Sequence, residues 1–460
     1  MKIGYVVPEW PGQTHLWIWR EISHLREWQV PIRLFSTRRP PERDRGRHAF
    51  AADAMAETFY LWPVGFWRAV GLLLYGLCTS PIGFVRCIAM ALSIPVETRP
   101  LWRHVLPLLV PACRLARQVR REGITHLHSH TPANSAILCM MVKRLTGVPF
   151  SLIVNANMEW WGGAMREKFA ESSFTLLVTE WLVAQMRRDY PELLPESYGL
   201  GRVGVDVRKW SRTAVEQARP AGQASAESGA NAPFRILSVG RLNKSKGFDV
   251  LLGAVAQLRD RNVGVKLNIG GDGPERDALT ALVVQLKLGD CVTFLGSVSE
   301  EQYLAEMAQA DCFVLASNSE PMGVVYMEAM SMEVATIGTA AGGVPEIITN
   351  GVDGLLVPPR DSNSLAGAIQ RLMDDPGFRH ALGQSGRRKV MQQFDSRIWA
   401  GTLYRRLFGH APGESLTGSE QGPEQGSEHG PTPTLSKGAR RTGVLGSAKS
   451  SGAQRLTFVL

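Results

Sequence analysis

Short apolar runs alternate with segments long enough for a helix, and this alternation occurs twice along the 460-residue chain. The first series comprises Ile3 to Val7, Val30 to Ser36, Ile124 to His130, Ser151 to Val154 and Thr175 to Thr179. The second comprises Phe234 to Val239, Val265 to Ile269, Cys291 to Leu295, Cys312 to Ala316, Ala335 to Gly338 and Leu355 to Val357. Continuous apolar runs mark strands buried on both faces, and a parallel neighbour is reached only through a crossover, usually a helix. The pattern predicts an α/β protein of two doubly wound domains, residues 1–205 and 234–395, facing a central cleft. Between them, 206–233 drifts into Ala, Ser, Gln and Gly and reads as a linker. A helix over 396–410 follows, and 411–460 is too poor in apolar residues to fold alone, so a disordered tail is expected.

The segment 61–121 departs from this regularity. It interleaves Trp62, Phe66, Trp67, Tyr75, Phe84 and Trp102 with Arg68, Arg86, Arg99 and Arg103. Its longest uncharged run, Ala69 to Val85, is broken by Gly71, Gly76, Pro81 and Gly83, whereas a spanning helix needs ~20 mostly apolar residues. Two readings remain: core helices of the first domain, or a surface that meets the membrane interface.

Charge narrows the partners only slightly. The formal net charge is +9, and residues 1–205 hold 24 Lys and Arg against 16 Asp and Glu. Such an excess suits nucleic acid, anionic lipid or an acidic substrate alike. The basic loop after the second strand (Arg38, Arg39, Arg43, Arg45, Arg47) supplies part of it. The six cysteines lie in apolar surroundings without a Cys-x-x-Cys pair, which argues against a zinc knuckle and a disulfide framework. They read as small buried hydrophobes in a reducing compartment. The apolar stretch before Pro8 is far shorter than a secretory h-region, so a cytoplasmic chain is expected.

In doubly wound sheets ligands bind beyond the carboxyl ends of the strands. After the first strand of the second series stands Gly240-Arg241-Leu242-Asn243-Lys244-Ser245-Lys246-Gly247. Gly240 is expected to let the backbone turn tightly, and Arg241 and Lys246 put two cations where a diphosphate would meet a helix N-terminus. A solvated basic loop is the alternative. Glu320-Pro321-Met322-Gly323-Val324-Val325-Tyr326-Met327-Glu328 follows a later strand. The Glu-x7-Glu spacing is weak by itself, since Glu159/Glu167 and Glu420/Glu428 share it. Its context is stronger. Pro321 and Gly323 should open a helix whose first amides, around Met322 to Val325, face a phosphate between two carboxylates, and carboxylates accept from vicinal sugar hydroxyls. Gly342-Gly343-Val344-Pro345-Glu346 permits close backbone approach, and Gly270-Gly271-Asp272-Gly273 reads as a turn that supports the cleft. Nucleic-acid binding would leave the paired glutamates unexplained, so no nucleic-acid partner is expected.

These elements in this order, with Gly354-Leu355-Leu356-Val357, resemble the retaining glycosyltransferases of family 4, which have the GT-B fold of two Rossmann-like domains. The likeness is strong over 234–400 and looser over 1–206. It implies that Arg241 and Lys246 contact the diphosphate of a nucleotide-sugar donor, Glu328 the ribose and Glu320 the transferred sugar. Gly240, Met322, Gly323, Val324 and Gly343 would complete the donor site. From the first domain, Gly12 would approach the donor and His130 the reacting sugar. The loop Pro8 to His15 lacks the family's common glycine pair and is similar to the branch that builds exopolysaccharide and other surface polysaccharides. The expected acceptor is a saccharide or lipid-linked saccharide held by the first domain, and the basic, aromatic-rich segment 61–121 motivates a peripheral place at the cytosolic face of a membrane. Where the family often has glycine after the Glu-Ala-Met helix, this chain has Ser331-Met332-Glu333.

No Asp-x-Asp exists to hold a divalent cation, so Arg241, Lys246 and helix dipoles are expected to stabilise the leaving diphosphate, with no metal and no cofactor required. His126, His128 and His130 alternate along one strand. Metal ligation, simple packing and, for His130, a place in the sugar site all remain open. A phosphorylase or epimerase on the same fold, or a non-catalytic binding protein, are the competing readings.

Overall fold

The computed structural model describes residues 1–12, 15–42, 49–96, 104–218 and 232–414. Gln13, Thr14, Arg43, Arg45, Arg47, Arg99, Trp102, Arg103, residues 219–231 of the expected linker and the tail from 415 onward lie outside the described residues. The first sheet has the order β3-β2-β1-β4-β5-β6-β7. Its strands are β1 (Ile3–Glu9), β2 (Ile32–Arg38), β3 (Phe59–Tyr60), β4 (His126–Ser129), β5 (Phe150–Val154), β6 (Thr175–Leu177) and β7 (Tyr198–Leu200). The second has the order β10-β9-β8-β11-β12-β13. It is built from β8 (Phe234–Val239), β9 (Val265–Gly270), β10 (Val292–Gly296), β11 (Cys312–Val314), β12 (Ala335–Thr339) and β13 (Leu355–Val357). Every pairing is parallel. The central strands are buried along most of their length, which is why they read as apolar runs. Strands β3 and β7 escape such a reading because they are short edge strands with half-exposed residues.

The helices that matter below are α1 (Leu16–Glu27), α2 (Phe66–Thr79), α3 (Pro81–Ser93), α4 (Glu180–Asp189), α5 (Phe248–Asp260), α6 (Glu300–Gln309), α7 (Val324–Ser331) and α8 (Ser396–Phe408). Strand order reverses direction beside β1 and β4 in one sheet and beside β8 and β11 in the other, and each reversal opens a crevice at the carboxyl ends of those strands. Both sheets belong to one compact unit, Met1–Pro412. Helix α8 returns to the first domain: Arg397 pairs with Glu27 at 2.8 Å, and His24 Nε2 meets Ser396 Oγ at 2.9 Å.

Two expectations need correction. The stretch 206–218 is packed, because Trp210 is buried and its carbonyl accepts from Ser331 Oγ at 2.6 Å, and a helix runs from Arg212 to Ala218. In the 61–121 segment, Gly76 and Gly83 do not break helices; they sit inside α2 and α3 where neighbours press closest. A Cβ on Gly76 would lie 2.5 Å from Cys113 Sγ, and one on Gly83 2.2 Å from Arg144 O. Pro81 occupies the first position of α3, where its missing N–H costs nothing. The inner faces of this helix pair join the core through Leu72, Cys87, Met90 and Ala91. Its outer face leaves Phe66, Trp67, Ile82 and Val85 between 60% and 81% exposed. No single helix among the described residues is long and apolar enough to cross a membrane; α2 and α3 reach the necessary apolar length only together, bent by 117°.

Candidate functional site

The loop after β8 brings Lys246 into position. Residues Lys244–Lys246 form one 3-10 turn, and Gly247 at φ 63° starts α5. Only glycine fits there, since a Cβ would lie 1.9 Å from Ala316 O. Gly240 is a correction: a Cβ there would meet only ordinary contacts at 3.6 Å and beyond, so the tight geometry falls to other glycines. Gly271, at φ 130°, packs its α-carbon against Gly240 O, and Gly273 packs against Leu242 O. The Gly270–Gly273 turn thus buttresses the loop that carries Arg241, which is exposed.

Lys246 Nζ donates to Glu320 Oε2 at 2.5 Å, and Ser317 Oγ donates to the same oxygen at 3.3 Å. Glu320 is almost buried and Lys246 a fifth exposed. The ion pair joins the loops after β8 and β11. Beyond Glu320, Met322 is buried, Gly323 takes φ 82°, and α7 begins at Val324, whose first amides lack intrahelical acceptors. Tyr326 braces α7 by donating to Leu315 O at 2.7 Å. Burial, and next the charge of Glu320, raise the Tyr326 hydroxyl well above its ordinary range. After α7 the chain turns through Glu333 at φ 59°, so this glutamate adopts the left-handed conformation that glycine takes more easily.

The glycine pair serves close approach between backbones. Gly343 N–H donates to Glu320 O at 2.9 Å, and a Cβ on Gly342 or Gly343 would lie 2.2 Å from Glu320 O or 2.3 Å from Pro321 O. Gly343 therefore holds the Glu320 loop with its amide. Glu346, three residues on, reaches the first domain, accepting from the amides of Glu180 and Trp181 at 2.8 Å each at the start of α4.

On the first-domain side, Gly12 is buried and donates its amide to His15 Nδ1 at 2.8 Å. His130 lies just past β4 and is fully buried among Tyr5, Trp17 and His128. Its Nε2 meets Glu21 Oε1 at 3.0 Å, and Tyr5 Oη donates to that oxygen at 2.7 Å. His126 and His128 both contact Ser151 Oγ, at 2.8 and 2.7 Å. Burial lowers the His126 imidazole to about 4; burial, with His130 and His126 nearby, holds His128 well below the ordinary imidazole range. The three histidines do share one side of the sheet, and Glu21 supplies the carboxylate that the sequence did not reveal: Glu21, His128 and His130 have ligand-type atoms within 4.8 Å of one another.

Glu328 lies inside α7 and faces the first domain. Arg20 of α1 donates to its Oε1 at 3.2 Å and lies 3.9 Å from Glu300 of α6, which Lys209 approaches to 2.8 Å. Burial pushes the Glu328 carboxyl up to about 7, with Arg20 pulling the other way. Arg20, Glu21 and Glu300 stand in no sequence motif, and Glu346 stands in the glycine-pair motif without a role that spacing reveals. Glu21 falls three residues after Ile18 and four before Leu25, on the buried face of α1, and that periodicity was its available signal.

Residues 223–389 match the family model of the group 1 glycosyl transferases. The chain is 27% identical over 289 residues to a glycogen synthase of Mycobacterium tuberculosis, covering 60% of this chain and 66%, just under two thirds, of that protein. Anabaena HepE in complex with UDP superposes with a TM-score of 0.64 at 17% identity, over 89% of this chain and 100% of HepE. Sucrose-phosphate synthase from Thermosynechococcus elongatus gives 0.66 at 20% identity, over 89% and 100%. Those two likenesses establish the fold: two parallel-sheet Rossmann-like domains in the GT-B arrangement. The family model and the curated relative thus give a sequence likeness to group 1 glycosyl transferases, centred on residues 223–389, and the solved structures give the fold.

Proposed function

We propose that this chain transfers a glycosyl group from a nucleotide-diphosphate sugar to a saccharide acceptor, with retention of anomeric configuration. The observation that supports this reading best is the convergence of the Lys246–Glu320 pair, Glu328 and the start of α7 beyond the carboxyl ends of β8 and β11. In this reading Lys246 and Arg241 neutralise the diphosphate, and the amides at Met322, Gly323 and Val324 face it with the positive end of α7. Glu320 accepts from hydroxyls of the transferred sugar and Glu328 from the ribose. Gly247 and Gly343 shape the loops, Gly240 lies on the first of them, and Gly12 and His130 approach the donor from the first domain. Charge on the leaving diphosphate is met by these cations and dipoles without a divalent metal. HepE, a structural neighbour, was crystallised with UDP and with UDP-glucose, which fits a nucleotide-sugar donor here.

The acceptor in this proposal is lipid-linked, in surface-polysaccharide assembly at the cytoplasmic face of the membrane. The apolar outer face of α2 and α3, edged by exposed Arg68 and Arg86, is the surface that would rest on anionic lipid. Thermal stability with UDP, GDP, ADP and their sugars, in chelator, tests the donor site. A ligand at ~100 times its Kd should add about 2.7 kcal/mol in the wild type and much less in Lys246→Ala. No stabilisation by any nucleotide would sink the reading. For the membrane part, wild type should sediment with phosphatidylglycerol vesicles at low salt and Trp67→Ser should not.

A further inference from the structure

We infer that Arg20 belongs to the donor site: it reaches from α1 in the first domain to hold the Glu328 carboxylate of the second in place for the ribose hydroxyls. The inference rests on the donor reading above. Arg20 is 7% exposed, yet it makes no ion pair within its own domain among the described residues; its carboxylate neighbours, Glu328 at 3.2 Å and Glu300 at 3.9 Å, both belong to the second. Its guanidinium also stands over the Trp210 ring, 5.8 Å from the centroid. Nη1 is buried with no hydrogen-bond partner among the described residues. An arginine buried merely to join two surfaces gains little, because desolvation offsets most of the attraction. An arginine that fixes a ligand-binding carboxylate, with one donor left over, has a reason to be there.

The groups around Glu328 define what Arg20 does. Arg20 faces it from α1, Glu300 and Tyr303 from α6, and Lys209 is engaged by Glu300 from the segment before the Arg212–Ala218 helix. Burial and Glu300 favour the protonated carboxyl, while Arg20 favours the carboxylate. A carboxylate accepts from both hydroxyls of a vicinal diol, and a carboxylic acid gives up one of those acceptors to its own proton. Arg20 is thus a positioning residue that keeps Glu328 charged, and it does so only while the two domains are closed together. Donor binding and domain closure are coupled through one guanidinium.

The experiment is nucleotide affinity by calorimetry from pH 6 to 9, using the nucleotide that stabilises the wild type, for wild type, Arg20→Met, Arg20→Lys and Glu328→Gln in the full chain. Wild-type affinity should rise as pH climbs through about 7. Without the cation the carboxyl holds its proton to higher pH, so Arg20→Met should move the midpoint up by roughly one unit and weaken binding about fivefold at pH 7. At pH 9 it should approach the wild type. Arg20→Lys should restore part of the shift, and Glu328→Gln should bind weakly with no pH dependence in this range. Loss of affinity in Arg20→Met that is equal at every pH, or no loss at all, overturns the inference while leaving the donor reading intact. A wild type that binds no nucleotide at any pH overturns the donor reading instead.

Discussion

Replacing Lys246 by Met leaves the hydrocarbon stem and removes only the ammonium. Glu320 would then keep a single side-chain donor, Ser317 Oγ at 3.3 Å, while remaining almost buried. Removing one partner of a buried ion pair costs ~3–5 kcal/mol, because the other charge is left desolvated. Lys246 is 21% exposed, so water can approach the orphaned carboxylate, and about 2–3 kcal/mol is the appropriate estimate. A cooperative unit of 150–250 residues shifts by roughly 2–4 °C per kcal/mol, so the melting temperature should fall by about 5–10 °C. Differential scanning fluorimetry of the donor-free protein measures this directly. Two controls isolate the cause. Lys244→Met, on the exposed side of the same turn, should stay within about 0.5 kcal/mol of wild type. Lys246→Met combined with Glu320→Gln should recover most of the loss, since no unpaired charge remains. If the double variant were no more stable than Lys246→Met alone, the buried charge would not be the cause and the reasoning would fail.

Three further outcomes follow from the same geometry. Gly342→Ala must place a Cβ 2.2 Å from Glu320 O at φ 60°, so it should cost ~3 kcal/mol or more by urea denaturation and weaken nucleotide binding by displacing Glu320. Glu346→Ala removes the acceptor of two amides at the start of α4 and should cost ~1–2 kcal/mol; hydrogen exchange at Glu180 and Trp181 should quicken while that of β5 is unchanged. Among the cysteines, exposed Cys78 should react first with a thiol reagent in the native protein. Cys87 and Cys113, pushed by burial to about 12 and about 11, and Cys139 and Cys312, buried and raised further, should react only on unfolding; labelling followed by peptide mass spectrometry checks the order.

Much of the fold was legible because buried parallel strands leave apolar runs, unbroken in Cys312–Val314 and only lightly interrupted in Ala335–Thr339. The edge strands β3 and β7 were not, since half-exposed edges need no such run. Cysteine burial was read too uniformly: Cys78 is exposed and Cys291 only half-buried, because an apolar neighbourhood in sequence does not say which face of a helix looks outward. The helix pair α2 and α3 shows the same limit. Glycine in its sequence signals a break, but in space Gly76 and Gly83 are the contacts that let two helices approach Cys113 and Arg144.

The sequence by itself determined the two α/β layers and the loops after β8, β11 and β12, because strand burial and loop chemistry are local properties that leave marks in residue order. It also picked out Lys246, Glu320 and Glu328, which stand in recognisable local patterns. Only the tertiary structure decided how those loops meet. Gly343 grips Glu320 rather than standing open, Glu346 crosses to α4, and Glu21 sits on His130. Arg20 and Glu328, 308 positions apart, share a buried ion pair. The Gly343 and Glu21 contacts depend on how strands order within each sheet, the Glu346 and Arg20 contacts on the docking of one domain against the other, and no spacing along the chain encodes either geometry.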